Sequence, residues 1–440
     1  LSDYFVRTLP YSDDSSLLLR RLADLPGLVM LDSGLRAVAH PPGLGARHDI
    51  LSALPRHTLS YSMPDRRLAP SVFREEALFS QLSAALHSHA PTQALPSELR
   101  GLPFVGGALG YVGYDGDSRF GIHDWAIVVD HHKQTSLLFA LPDCPVNTLQ
   151  RVLACLEQPP PALPGFALET GFASNFTPES YAAAFARVQD YIQAGDCYQV
   201  NLAQRFSARF SGDSLGAYLQ LRGSIRSPFS AFIRDGASSV LCFSPERFLE
   251  VRGEQVQTQP IKGTRRRSPD PLLDAAQADE LLNSDKDRAE NLMIVDLLRN
   301  DLGSLCATGS VQVEKLFELQ SFSNVHHLVS TIRGRLEAPQ TPIDLLRSCF
   351  PGGSITGAPK QRAMEIIAEL EPDARRVYCG SAGYVGFDGQ MDTNIMIRTL
   401  LCEGQDMYCW GGGGLVADSV CSQEYQECFD KINNIINVLK

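Results

Sequence analysis

Apolar residues follow two periods along this chain. Over Leu17–Leu25 they recur on one helical face, and a second helical pattern runs from about Phe73 to Leu86. Leu28-Val29-Met30-Leu31 is instead a continuous apolar run of strand length. Thr177-Pro178-Glu179 has the signature of a helix start, with Thr177 as cap, proline in the first turn, and an acid that suits the positive helix end. That helix is expected to reach about Ala194, where Gly195 stops it. Strand-length runs over 229–258 predict antiparallel pairing, and strands then alternate with helices to residue 440 without the regular spacing of a doubly wound sheet. The pattern predicts an α+β fold.

Prolines stiffen residues 158–165 (Gln-Pro-Pro-Pro-Ala-Leu-Pro-Gly) into an extended linker. It is the best boundary in the chain, separating residues 1–160 from 175–438. One echo crosses it: Gly107-Ala108-Leu109-Gly110-Tyr111-Val112-Gly113-Tyr114-Asp115-Gly116 resembles Ser381-Ala382-Gly383-Tyr384-Val385-Gly386-Phe387-Asp388-Gly389. Either these are two similar glycine- and aromatic-rich strands ending in Asp-Gly turns, or they belong to two related sheets that face each other in a sandwich. Tyrosine and valine within the first copy read as strand, so Gly107, Gly110 and Gly113 do not make a dinucleotide loop.

Composition narrows the class. A chain of 440 residues exceeds one small core, so two or three folding units are expected. Its 44% hydrophobic and 20% charged residues are ordinary for a globular enzyme. No apolar run reaches membrane-spanning length, and residues 1–30 lack a signal-peptide pattern. The 11 cysteines are odd in number and include no CxxC pair, which points to reduced thiols and a cytoplasmic location. A formal charge of −11 argues against a nucleic-acid partner.

Several stretches carry chemistry. Pro260-Ile261-Lys262-Gly263-Thr264 sets one lysine in a rigid, weakly polar frame, where partial desolvation favours a free, nucleophilic amine. A turn or buried structural lysine is the plainer reading. Asp287 and Glu290 share one helical face, and Glu424, Glu427 and Lys431 share another. Alone, each is a solvated acidic stripe; brought together, they form a hard-oxygen site suited to Mg²⁺. Two small-residue loops, Trp410-Gly411-Gly412-Gly413-Gly414 and Pro351–Lys360, the latter leading into a helix over 361–370, can present bare backbone to an anion. Arg398 lies in an apolar segment and needs a carboxylate, either internal or on a ligand.

Ser244-Pro245-Glu246-Arg247-Phe248, Pro260–Thr264, Asp287–Asp301, Val325-His326-His327-Leu328, Gly352–Lys360, Tyr378–Arg398 and Gly411–Lys431 occur in the order found in chorismate-utilising enzymes. The resemblance is strong over 175–438 and weak before it. It implies large, mainly antiparallel sheets packed as a sandwich with helices outside. Lys262 resembles the branch of that family that forms 4-amino-4-deoxychorismate; the anthranilate-forming branch carries alanine there.

The resemblance also implies roles. Mg²⁺ held by Glu290 and Glu427, with Asp287 and Glu424 in support, binds the ring carboxylate. Arg398, Tyr378 and the backbone at Gly412 and Gly414 hold the enolpyruvyl carboxylate, with Lys431 and Thr264 nearby. His327 lies near the ring; on its own it reads as a core histidine. Glu246 protonates the departing C4 hydroxyl, and Lys262 attacks C2. Gln199 stands where water-adding relatives carry a lysine base, so ammonia is the expected nucleophile, supplied by a separate glutamine amidotransferase subunit. Ser33, Pro228 and Phe229 fall where relatives form a tryptophan-binding cleft, although plain sheet packing explains them equally well. The competing readings are an anthranilate-forming enzyme and a non-catalytic chorismate-binding protein.

Overall fold

The fold is given by a computed structural model, in which residues 1–34, 47–62, 76–163, 165–322 and 325–440 are described. Among these residues, two large antiparallel sheets of 13 and 10 strands carry the architecture. The first sheet runs from Phe5–Leu9 through Thr135–Ala140, Trp125–Asp130, His48–Ser52, Val29–Asp32, Phe229–Asp235, Ser238–Ser244, Thr399–Glu403 and Asp406–Leu415 to Gln199–Gly212 and Ala173–Ser174. The second begins at Ile261–Arg266 and passes through Val325–Arg335, Gln255–Gln259, Arg247–Arg252, Met391–Asn394, Ser381–Gly386, Gly107–Val112 and Ser118–His123 to His57–Tyr61. Strands from both sides of the proline-rich linker are thus hydrogen-bonded within both sheets. One apolar cluster combines residues from both sheets, including Val200, Leu202, Val240, Leu249, Tyr378 and Tyr384. A second packs helices on the first sheet through Leu19, Tyr218, Phe243, Ile432 and Ile435. Each fully buried side chain of this size stabilises the fold by about 1.5–3 kcal/mol before its entropy cost.

The repeat has a simpler outcome than two facing sheets. Gly107–Val112 and Ser381–Gly386 are neighbours in one sheet, paired antiparallel with Gly110 opposite Gly383. Each then turns into its own hairpin partner. The glycines allow close backbone approach, since a Cβ on Gly110 would sit 1.9 Å from the Arg119 carbonyl oxygen, and one on Gly383 2.1 Å from that of Asp392.

Local signals set several helix ends. Thr177 caps the helix Pro178–Gln193 in a reciprocal box with Ser180, and Gly195 follows at φ +82°. The first helix is only Ser16–Arg21, shorter than its apolar pattern, because Leu22 ends it and the chain turns through Pro26. The second spans Glu76–His89; residues 73–75 of its expected start lie outside the described set. The helix after the Pro351–Lys360 loop spans Lys360–Leu370. The linker joins the helix Val146–Glu157 to the strand Phe166–Leu168. All eleven cysteines are unpaired. Among the described residues, no helix is long and apolar enough to cross a membrane.

The glycine run 411–414 is strand rather than loop. It lies within Asp406–Leu415 and pairs with Asn201–Gln204. The glycines are needed because the helix Cys421–Leu439 crosses this strand closely, and a Cβ on Gly411 would lie 2.2 Å from the Cys428 carbonyl oxygen.

Candidate active site

Two adjacent crossovers between the sheets build the floor of the site. The chain leaves the first sheet at Ser244, passes through Pro245 and Glu246, and enters the second at Arg247. It returns from Asn394 to Thr399 through Ile395–Arg398. The crossovers are tied together, because Ile395 N–H donates to Glu246 O at 3.1 Å and Phe243 N–H to Arg398 O at 3.1 Å. Arg247 clamps the joint with two bonds to Asp392, at 3.0 and 2.9 Å.

Glu246 is 5% exposed, and burial pushes its carboxyl pKa up against the opposing charge of Lys262 and a bond from Ser354. Lys262 enters from the second sheet's edge strand. Its Nζ donates to Ser354 O at 2.9 Å. Burial holds its pKa below the usual lysine value, against the pull of Glu246, Glu290 and Glu427. Its neighbour Gly263 is at φ +81°, and a Cβ there would lie 2.8 Å from Leu281 Cδ1, so glycine is required beside the lysine. The strand register sets Thr264 opposite His327, and Thr264 Oγ1 lies 2.8 Å from His327 Nδ1. His327 is 2% exposed. Burial and then the Arg398 charge lower its pKa to about 3, so it is neutral at pH 7.

Two helices bring in the acids. Ser284 caps Asp285–Gly303, whose first turns carry Asp287 and Glu290. Cys421–Leu439 carries Glu424, Glu427 and Lys431. Burial raises the Glu290 pKa, and Asp287 and Glu427 add to the rise. Glu424 is also raised by burial, with Glu427 adding, while Ser419 Oγ donates to it at 2.7 Å. Glu427 is nearly half exposed and net lowered, because Lys431, bonded at 2.7 Å, outweighs the cost of its partial desolvation. Asp287 is engaged by Arg265 at 3.0 Å. Lys286, absent from the sequence reading, is within electrostatic reach of Glu290, Glu424 and Glu427, so the two acidic faces do converge. Among the described residues, no three such side chains form a complete metal cage. A divalent ion here would take its remaining oxygens from water and from a bound ligand, as Mg²⁺ commonly does, and the carboxylate donor set fits that ion.

Lys431 Nζ donates to Gly412 O at 2.7 Å. The carbonyl and N–H of one strand residue point to the same side, so the Gly412 N–H also faces this open edge. The neighbouring strand Thr399–Glu403 pairs only as far as Cys409, which leaves that edge free beyond it. A Cβ on Gly414 would lie 2.0 Å from Gln199 Nε2, and Gln199 Oε1 is buried without a partner among the described residues. Tyr378 lies parallel to Trp410, with centroids 6.1 Å apart. Arg398 has φ +52°, and burial lowers its pKa. Its guanidinium has no hydrogen bond or ion pair among the described residues, an arrangement chemically suited to meeting an anion.

Sequence reasoning missed two organisers. Ser354 joins Lys262 to Glu246, its Oγ donating to Glu246 Oε1 at 2.8 Å. Arg375 bonds Glu371, Ile355 O and Asn201 O, fixing the loop that carries Ser354. Ser354 has no local sequence signal, since its partners are far away in the chain, and of the Arg375 partners only Glu371 is local, four residues away. Ser33, Pro228 and Phe229 lie apart from this site, lining a cavity between the sheets with His48, Arg252 and Asp392.

The sequence pattern of the chorismate binding enzyme family matches residues 60–437. The chain is 45% identical to aminodeoxychorismate synthase component 1 of Klebsiella aerogenes, over 98% of each chain. It is 44% identical to the protein of that name from Escherichia coli K12, over 100% of this chain and 99% of the relative. The solved anthranilate synthase component I from Streptococcus pneumoniae TIGR4 superposes with a TM-score of 0.76 at 30% identity, covering 91% of this chain and 94% of that one.

Proposed function

The chain is an enzyme of the chorismate binding family, and from that premise we propose that it replaces the C4 hydroxyl of chorismate with ammonia, giving 4-amino-4-deoxychorismate. The observation that carries this reading is the amine of Lys262, partly buried and within electrostatic reach of Glu246, Glu290 and Glu427. The anthranilate reaction has no need of a nucleophile on the protein.

Lys262 reacts as the free amine. Its electron pair attacks ring C2, the two ring double bonds each shift one place, and the C4–O bond breaks. Glu246 supplies the proton, so the hydroxyl leaves as water. The new C–N nitrogen then sheds one proton. Ammonia attacks C4, the double bonds return, and the C2–N bond breaks as its nitrogen regains a proton, restoring the amine, while the new C4 ammonium sheds one. Arg398, Tyr378 and the Gly412 and Gly414 backbone hold the enolpyruvyl carboxylate; Lys431 and Thr264 complete the polar lining. Neutral His327 offers the ring a hydrogen bond without a charge. Mg²⁺ held by Glu290 and Glu427, with Asp287 and Glu424 in support, would neutralise the ring carboxylate and draw electrons from the ring. Ammonia comes from a separate glutamine amidotransferase subunit, a reading supported by the name "component 1" borne by the relatives.

Incubation with chorismate, Mg²⁺ and ¹⁵N-ammonium at high pH tests the reading. Nitrogen is expected on C4. Nitrogen on C2 would favour the anthranilate reaction instead, and no turnover would favour a binding protein.

A separate proposal concerns the cavity at Ser33, Pro228 and Phe229, which we assign to tryptophan. Apolar walls would take the indole, and Asp392, Arg47 and Arg252 offer charges for its amine and carboxylate. Tryptophan at about 100 times its dissociation constant should stabilise the fold by about 2.7 kcal/mol. An unchanged melting midpoint at millimolar tryptophan, with histidine as control, would exclude it.

A further inference from the structure

Ser354 touches both ends of the first displacement. Its carbonyl accepts Lys262 Nζ at 2.9 Å, and its hydroxyl donates to Glu246 Oε1 at 2.8 Å. Ser354 and Glu246 are each 5% exposed, so bulk water does not compete for the bond between them, while Lys262 is partly buried. The short turn Gly353–Ile355 that carries it is pinned on both sides. Thr356 Oγ1 donates to Gly352 O at 3.1 Å, and Arg375 Nη1 donates to Ile355 O at 2.9 Å. A Cβ on Gly353 would lie 2.4 Å from Leu297 Cδ2, so the turn sits hard against the helix that bears Glu290.

We propose that Ser354 is a positioning residue that stabilises the two charges created when Lys262 attacks and Glu246 gives up its proton. The inference rests on the reaction proposed above. The step itself requires a neutral amine and a neutral acid. As the C2–N bond forms, positive charge grows on a nitrogen that still carries N–H, and the Ser354 carbonyl accepts from it. As the C4–O bond breaks, the proton leaves Glu246 with the hydroxyl, and the Ser354 O–H donates to the growing carboxylate. Both bonds become charge-assisted only as the barrier is crossed, so they lower it rather than merely tighten binding. Ser354 keeps its own proton throughout, and no further reactant is needed.

A double-mutant cycle with Glu246→Gln tests this, read as the rate of chorismate consumption with ammonium. Ser354→Ala should lower kcat by about 10²-fold, the usual loss for one donor aimed at developing charge, with KM nearly unchanged. In the Glu246→Gln background the same change should cost under about threefold, because the group served is gone. Ser354→Ala should also move the high-pH loss of activity upward, since the lost bond favours the ionised acid. If Ser354→Ala does not fold, Ser354→Cys, similar in volume and a weaker donor, carries the same cycle. Equal losses in both backgrounds, or a rise in KM with kcat intact, overturn the proposal. The mass of the Lys262 adduct is measured alongside. A wild-type chain that turns over without one defeats the covalent reading, while the Ser354–Glu246 coupling is still decided by the cycle.

Discussion

Lys262→Ala is expected to abolish covalent capture of chorismate. With chorismate and Mg²⁺ but no nitrogen donor, the unaltered chain should gain the mass of chorismate less one water on Lys262, and the variant should gain nothing. With ammonium present, formation of the C4-amino product should fall by about 10³-fold or more, as when other covalent nucleophiles are removed. What nitrogen transfer survives should appear at C2, because no side chain then occupies that carbon. The loss of a cation also matters, since Lys262 offsets Glu246, Glu290 and Glu427. Lys262→Arg separates the two effects: it restores charge, but a guanidinium stays protonated and cannot attack. Normal production of the C4-amino compound by either variant would end the covalent mechanism.

Glu246→Gln should lower kcat by about 10²–10⁴-fold, the range for a positioned general acid. Its pH signature has a definite sign. Glu246 must hold a proton to act, and burial raises its pKa above the ordinary ~4.3 of glutamate. Activity therefore falls as pH rises through that raised value. Lys262 works in the opposite sense, because it must lose a proton, and its lowered pKa brings that loss to lower pH. The two groups feel each other's charge, so the apparent values belong to the pair. Glutamine does not titrate, and the high-pH limb should flatten in the variant when free ammonia is held constant. A profile that keeps this limb, or a rate within about threefold of normal, would remove Glu246 from the acid's role.

How much of this was legible depended on how local each signal was. The Thr177 cap and the shared face of Glu424, Glu427 and Lys431 sit within a few residues of each other, and both were readable. The glycine run at 411–414 misled because glycine carries no strand signature; its reason is the helix that crosses it, met only in three dimensions. The repeat showed that two segments were alike but not that they were neighbours, since pairing partners are chosen across the whole chain. Ser354 was hidden for the same reason: its partners Lys262 and Glu246 lie 92 and 108 residues away. Whether Arg398 has an internal partner could be posed as a question from sequence, but only the surrounding structure shows that no described residue pairs with it.

The pairing of Gly107–Val112 with Ser381–Gly386 bears on how the molecule is made. On the ribosome, the first of these strands emerges long before its partner exists. Contacts so far apart along the chain slow folding. Meanwhile the waiting strand offers an unpaired edge to other nascent chains. Synthesis assisted by a chaperone that shields that edge should therefore raise the yield of folded enzyme without altering a single native contact.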